Sequence, residues 1–185
     1  MKKKGFVINV ARCNGCGACL VACKVEHGIT ETGTWLRTRY ENRATQALLT
    51  MGCNHCDEPA CMKICPVKAD SKDDDGLVIQ DHAKCIGCKA CIAACPWHKP
   101  AFSEKDGKTH KCDFCARRLA KGLPPACVVT CANGAIEYGL IEDLRAKYPD
   151  AVEKGWEWAR KNFGLAGPGR TRPNVVIVPL ETKMK

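Results

Sequence analysis

The chain has 185 residues, of which 16 are Cys, against 4 Phe, 4 Trp and 3 Tyr. So many thiols and so few aromatic residues exclude an ordinary hydrolase or dinucleotide-binding enzyme, and leave disulfide scaffolds, zinc proteins and iron–sulfur proteins. The formal net charge of +9 need not indicate nucleic acid, because thiolate-bound clusters would cancel most of it, and we expect no nucleic-acid partner.

Short strands, cysteine-rich loops and short helices are predicted to alternate along the chain. Apolar runs predict strands at residues 5–10, 76–80, 135–138 and 174–180. Residues 34–49 form a connector of mixed pattern that suggests a hairpin, and Asp73–Gly76 reads as a turn. Helices are predicted at residues 142–147, before Pro149, and at residues 150–163, followed by a loop rich in Gly and Pro. We expect the C-terminal part of the chain, with its helix, loop and strand, to wrap around the core rather than dock on a partner.

No secretory signal is expected at the N-terminus. Lys2–Lys4 precede an apolar stretch, but that stretch is short and contains Asn9. No run of about 18 apolar residues occurs, so the chain is not expected to span a membrane. Because disulfides persist mainly in exported proteins, a disulfide framework becomes the weaker explanation for the thiols.

The sixteen cysteines fall into four groups of four, with none left over. Group one is Cys13, Cys16, Cys19 and Cys23, and group two is Cys53, Cys56, Cys61 and Cys65. Group three is Cys85, Cys88, Cys91 and Cys95, and group four is Cys112, Cys115, Cys127 and Cys131.

The groups repeat in an alternating order. Group one reads RCNGCGACLVAC and group three reads KCIGCKACIAAC, whereas groups two and four share Pro-Ala-Cys before their ends. This order indicates an internal duplication. Group four differs by an expansion, Ala116–Ala126, which is basic at Arg117, Arg118 and Lys121.

The spacing within groups one and three favours iron and sulfur over zinc. Three Cys at steps of three residues, with a fourth four residues on, match the run of bacterial two-cluster ferredoxins. Pro66 and Pro96 follow the last Cys of groups two and three, as in that run. Four zinc sites are the alternative, but a zinc site usually takes two separated Cys pairs and has no use for a third Cys at the same step.

At these groups the chain resembles the four-cluster, ferredoxin-like electron-transfer subunits of molybdopterin oxidoreductases, the family of dimethyl sulfoxide, polysulfide and thiosulfate reductases and formate dehydrogenase. The resemblance covers residues 7–148 and all sixteen ligand positions. Four segments are similar to the sequences of family members: CNHCDEPAC, CIGCKACIAACPW, HKCDFCARR and, after the last Cys, AIEYGLIEDLRAKYP.

The resemblance implies four [4Fe–4S] clusters and an α+β fold of two pseudo-symmetric, bacterial-type ferredoxin-like domains with a C-terminal extension of helix and strand. Domain I would comprise residues 1–35 and 100–148, domain II residues 45–99 inserted in it, and the extension residues 149–185. The implied ligand sets for clusters 1 and 2 are Cys13, Cys16, Cys19 and Cys131, and Cys112, Cys115, Cys127 and Cys23. The sets for clusters 3 and 4 are Cys53, Cys56, Cys61 and Cys95, and Cys85, Cys88, Cys91 and Cys65.

The resemblance also implies a non-catalytic role. The chain would relay single electrons between a molybdopterin or tungstopterin catalytic subunit, near cluster 1, and a quinone-linked membrane anchor or a soluble partner, near cluster 4. A free-standing polyferredoxin is the alternative function. The expected location is the cytoplasm or the cytoplasmic face of a membrane, with co-export on a partner as the other route.

The remaining candidate residues are few. His55 could replace a Cys ligand, but the full set of Cys favours a loop or hydrogen-bonding role. Trp97, followed by His98, is predicted to shield a cluster from water, with contact to a quinone or partner as the alternative. We expect surface or capping roles for His27, His82 and His110.

Overall fold

A computed structural model describes residues 2–180, which form a mixed α+β structure of short elements. The strands are β1 Lys4–Asn9, β2 Thr38–Asn42, β3 Ala47–Met51, β4 Asp70–Lys72, β5 Val78–Gln80, β6 Ala101–Ser103, β7 Lys108–His110, β8 Ile136–Leu140 and β9 Val175–Val178. The α-helices are α1 Ala18–Glu26, α2 Ala60–Ile64, α3 Ala90–Ala94, α4 Ala116–Leu119, α5 Ala126–Val129, α6 Ile141–Lys147 and α7 Ala151–Phe163. Single 3₁₀ turns lie at Val10–Arg12 and Gly169–Thr171.

A three-stranded sheet in the order β8–β1–β9 forms the centre of the fold. Strand β1 is antiparallel to β8, with Phe6 opposite Tyr138, and parallel to β9, with Phe6 opposite Val175. Five successive residues of β1 are buried, which explains why its sequence is a continuous apolar run instead of an alternating one.

The C-terminal extension packs on this sheet. Helix α7 approaches β9 so closely that a Cβ on Gly155 would lie 1.8 Å from the Ile177 carbonyl oxygen. The Trp156 indole N–H donates to the Val175 carbonyl at 3.3 Å. The predicted helix and strand of the extension are therefore present, and the expectation that it wraps the core is confirmed for the residues described.

Three two-stranded hairpins carry the cysteine loops. The hairpin expected within residues 34–49 is present as β2 and β3, and the turn at Asp73–Gly76 joins β4 to β5. The hairpin of β6 and β7 was not predicted. Strands of three residues are too short to display a periodicity, so only their pairing identifies them.

The core lies between the sheet and the cysteine loops. Phe114, which follows the first Cys of group four, stacks on Phe6 of β1 at a centroid distance of 4.0 Å. His55, from the group two loop, packs edge-on against the same ring at 5.4 Å. Groups two and four therefore meet the sheet through one shared aromatic cluster.

Candidate metal centres

All sixteen cysteine thiols are free of disulfides. Three cavities are each lined by four of them. Site 1 is lined by Cys13, Cys16, Cys19 and Cys131. Site 3 is lined by Cys53, Cys56, Cys61 and Cys95. Site 4 is lined by Cys65, Cys85, Cys88 and Cys91.

The remaining thiols form a fourth set, which we call site 2. Cys23, Cys112, Cys115 and Cys127 are all buried. Helix α1, which carries Cys23, packs against α5, which carries Cys127. Burial raises the pKa of Cys112 and Cys115, and the thiolates of Cys23 and Cys127 raise it further. Each site thus draws on two distant groups, in agreement with the sets implied by the resemblance, although coordination itself stays a prediction.

Left-handed turns let the chain curl around a site. In group one Gly15 and Gly17 have φ of 73° and 77°, and in group three Gly87 has φ of 69°. Lys89 occupies the position equivalent to Gly17 with φ of 63°. Glycine takes this conformation without steric cost, whereas a side chain such as that of Lys89 rarely does. The Lys89 ammonium lies 3.7 Å from the centroid of the Phe102 ring.

Backbone donors point at the last sulfur of three groups. The N–H groups of Ala69, Lys99 and Ala135 donate to Cys65, Cys95 and Cys131 over 3.3, 3.5 and 3.2 Å. In each case the donor lies four residues after the acceptor. Such hydrogen bonds stabilise negative charge on the sulfur and are among the factors that set cluster potentials.

Group one ends differently. His27 caps helix α1, as the prediction of a surface or capping role allowed, and its Nδ1 lies 2.8 Å from the Cys23 carbonyl oxygen. His27, expected at the surface or as a cap, is half-buried. Its imidazole lies 2.8 Å from Asp113 and 3.8 Å from the Cys23 sulfur. Burial lowers the pKa of His27, but the hydrogen bonds to Asp113 and Cys23 outweigh it and raise the pKa to about 10. The signal that could have indicated this role is its position, four residues after the last Cys of its group.

Burial controls the acidity of most inner thiols. Desolvation raises the pKa of Cys56 and Cys115 to about 12, and it also raises the pKa values of Cys53, Cys112 and Cys127. A reactive cysteine needs a depressed pKa, so these thiols are not suited to nucleophilic chemistry. A metal that replaces the protons removes the obstacle, and tetrathiolate sets of this kind suit iron–sulfur clusters.

Neighbouring sites share secondary structure. Helix α1 carries Cys19 of site 1 and Cys23 of site 2, and it packs against α5, which carries Cys127 and precedes Cys131. Helices α2 and α3 join sites 3 and 4 in the same way. Between the two pairs, a Cβ on Gly52 would lie 3.6 Å from the Cys112 Cβ, so the segment entering site 3 contacts site 2. The sites therefore follow one another in the order 1, 2, 3, 4.

Trp97 covers site 3. Its side chain is 3% exposed and lines the cavity with the four cysteines. The indole N–H donates to the Ala166 carbonyl at 3.0 Å, and the ring packs on Trp156 at 5.4 Å. This burial supports the predicted role of excluding water and leaves no indole surface for contact with a partner.

His55 and two further polar side chains complete this region. His55 is buried and accepts a hydrogen bond from the Val78 N–H at 3.1 Å, but it does not line the cavity of site 3. Asn54 and Thr171 do line it, and the amide oxygen and nitrogen of Asn54 have no hydrogen-bond partner among the residues described. Buried polar atoms without partners are costly unless another group meets them. The chemistry of the lining therefore fits a cluster at this place.

Two family models match the sequence. One, described as a 4Fe-4S dicluster domain, matches residues 44–141, and another, described as a 4Fe-4S binding domain, matches residues 11–26. Together these define the class as a cysteine-ligated iron–sulfur protein of the ferredoxin type, and nothing in them supports the zinc alternative.

Curated relatives identify the family more closely. The protein is 36% identical over 188 residues to a component of the anaerobic dimethyl sulfoxide reductase of Escherichia coli (strain K12), covering 95% of this chain and 88% of the relative. It is 39% identical over 140 residues to the thiosulfate reductase electron transfer subunit PhsB of Salmonella typhi, covering 71% and 73%. A tetrathionate reductase subunit of Salmonella typhimurium is 39% identical over 150 residues, covering 77% and 60%.

The protein belongs to the family of ferredoxin-like electron-transfer subunits of molybdopterin oxidoreductases. Its cofactors are four [4Fe–4S] clusters, and it is an electron-transfer subunit instead of a catalytic one. Within residues 2–180, no helix is both long and apolar enough to cross a bilayer.

Proposed function

We propose that this chain passes single electrons along sites 1, 2, 3 and 4 between a molybdopterin or tungstopterin catalytic subunit and a second redox partner. The proposal includes the ligand sets given above for the four sites. The observation that carries it is the contact between successive sites together with their exposure. Cys16 in site 1 and Cys88 in site 4 are exposed, whereas all four cysteines of site 2 are buried.

This arrangement suits a relay. Each cluster changes its charge by one electron, so a series of clusters divides a two-electron reaction at a pterin into single steps. Electrons can enter and leave where a cluster lies near the surface, and the buried sites between the two ends exclude water. We infer that the catalytic subunit docks at site 1 and the second partner, a quinone-linked anchor or a soluble carrier, at site 4.

The shared helices also support the proposed pseudo-symmetric division. Sites 1 and 2 use α1 and α5, with residues 1–35 and 100–148 as their domain. Sites 3 and 4 use α2 and α3, with residues 45–99 as theirs. In each pair, one helix supplies the third Cys of one site and leads to the last Cys of the other.

The test is anaerobic purification from native cells, with iron, molybdenum and tungsten measured on the complex. We expect a large pterin subunit in fixed ratio and a full set of iron on this chain. We then expect Cys16→Ser and Cys88→Ser to block electron transfer at opposite ends. In Cys16→Ser the remaining clusters should still be reduced by the partner at site 4. In Cys88→Ser they should still be reduced by the catalytic subunit at site 1. A brown protein with iron but no pterin subunit would instead support a free-standing polyferredoxin.

Cell fractionation of the same material tests the location. We infer a location in the cytoplasm or at the cytoplasmic side of a membrane, with co-export on the catalytic subunit as the outcome that would replace it.

A further inference from the structure

Arg37 is a buried cation beneath the hairpin of β2 and β3. It lies directly before β2 and is 2% exposed. One guanidinium nitrogen donates to the Thr50 carbonyl at 3.3 Å, and the other lies 3.6 Å from the Cys127 sulfur. The guanidinium carbon is 6.0 Å from the centroid of the Phe6 ring. These contacts hold the charge in one place.

No carboxylate forms an ion pair with Arg37 within residues 2–180, and its Nε has no hydrogen-bond partner there. A buried charge that lacks a counterion is strongly unfavourable, so its partner must be another anion. The Cys127 sulfur, 3.6 Å from one guanidinium nitrogen, is such an anion when it is a thiolate.

Contacts of Arg37 lead to two sites. Cys127 is part of site 2, and Cys19 is part of site 1. Thr50 contacts both Arg37 and site 1. Its carbonyl accepts the hydrogen bond from Arg37, and its hydroxyl lies 3.7 Å from the Cys19 sulfur. Arg37 is therefore in direct contact with site 2, and Thr50 connects it to site 1.

We propose that Arg37 is a shared positioning residue that raises the reduction potentials of the clusters at sites 1 and 2 together. The inference rests on the proposed ligand sets. An oxidised cluster core with four thiolates is already negative, and reduction adds one electron and one further negative charge. A fixed cation in a medium of low dielectric constant favours that reduced state at both sites. Arginine suits the role because it does not lose its proton near neutral pH.

The experiment is a redox titration of the full chain, purified anaerobically with its clusters and followed by electron paramagnetic resonance. We compare the wild type with Arg37→Met, which removes the charge, and Arg37→Lys, which keeps it. Arg43→Gln is the matched control, because Arg43 lies in the β2–β3 turn with its side chain 92% exposed.

In Arg37→Met we expect two of the four midpoint potentials to become more negative and two to remain unchanged. The expected size is about a tenfold loss of the reduced form at fixed potential, or ~59 mV for a one-electron couple. Arg37→Lys and Arg43→Gln should leave all four near the wild-type values. No shift in Arg37→Met, or an equal shift of all four clusters, would overturn the inference.

The iron content per chain shows whether a variant has lost clusters. If Arg37→Met loses iron, the inference requires a loss of about half, restored by Arg37→Lys, because only sites 1 and 2 depend on the cation. Loss from all four sites, or no restoration, contradicts it. The wild-type protein distinguishes a failure of the Arg37 inference from a failure of the proposed function. Fewer than four [4Fe–4S] clusters in the wild type would contradict the proposed function itself.

Discussion

The outer sites 1 and 4 differ from the inner sites 2 and 3 although all four are built from the same repeated motifs. Each outer site has an exposed cysteine, Cys16 or Cys88, at the second position of its group. The inner sites hold only one cysteine that is not fully buried, Cys95. The cysteine motif therefore supplies the ligands of each site, whereas the segments around the motif determine how far solvent reaches the site.

Segments outside the motifs cover the inner sites. Site 3 is closed by Trp97 and by Thr171 of the C-terminal extension. Beside site 2, the expansion in group four is held by an ion pair between Arg118 and Glu26 at 3.3 Å. Solvent exposure is one determinant of cluster potential, so the two classes of site should differ in potential and in resistance to oxidants.

The largest expected effect is loss of a ligand. Cys61→Ala at inner site 3 and Cys88→Ala at outer site 4 should each remove one cluster, and about a quarter of the iron. Cys61→Ala should also lower the thermal midpoint much further, because cluster binding at a buried site contributes to folding. The measurements are iron per chain and the temperature at which half of the cluster absorbance is lost. Equal midpoints in the two variants would remove the distinction between inner and outer sites.

A second comparison uses two tryptophans. Trp97→Ala should cost about 3–5 kcal/mol, because it opens a cavity over site 3. Trp35→Ala, at a side chain that is 39% exposed, should cost about 1 kcal/mol or less. In air, the first variant should lose one cluster faster than the wild type and the second should not. Similar decay rates for both variants would mean that Trp97 does not protect the site.

The third comparison tests the extension itself. Gly155→Ala places a methyl group 1.8 Å from the Ile177 carbonyl, so α7 must shift from β9 at a cost of about 1–3 kcal/mol. Gly167→Ala is the control, because a Cβ there meets no atom within 4 Å and should change stability by less than about 0.5 kcal/mol. The thermal midpoint and protease resistance of the C-terminal segment report the effect. Unchanged resistance in Gly155→Ala would falsify the close packing of α7 on β9.

The smallest expected effect concerns outer site 4. The buried Thr109 hydroxyl lies 3.5 Å from both the Cys85 and the Cys91 sulfur. Thr109→Val removes this polar contact and should make one midpoint potential more negative, by the equivalent of about 0.5–1 kcal/mol. Thr45→Val, in the exposed β2–β3 turn, is the matched control. If both variants shift the same potential, the effect does not come from the sulfur contacts.

Much of the fold was accessible from local patterns. The first strand was predicted from its continuous apolar run, and helices α6 and α7 were predicted within a few residues of their observed ends. The β2–β3 hairpin was predicted only as a segment of mixed pattern. The pairing of β9 with β1 was not predicted, since it joins residues about 170 positions apart. The contact of His27 with Asp113 was not predicted for the same reason, because the two residues are 86 positions apart.

The sequence by itself indicated the class of cofactor, because three cysteines at steps of three residues match the iron–sulfur run better than a zinc site. The resemblance then implied how groups combine into ligand sets. Only the tertiary structure decided which sites are covered, where the buried Arg37 lies, and that the segment entering site 3 contacts site 2. Those properties depend on contacts between distant segments, and a local spacing carries no information about them.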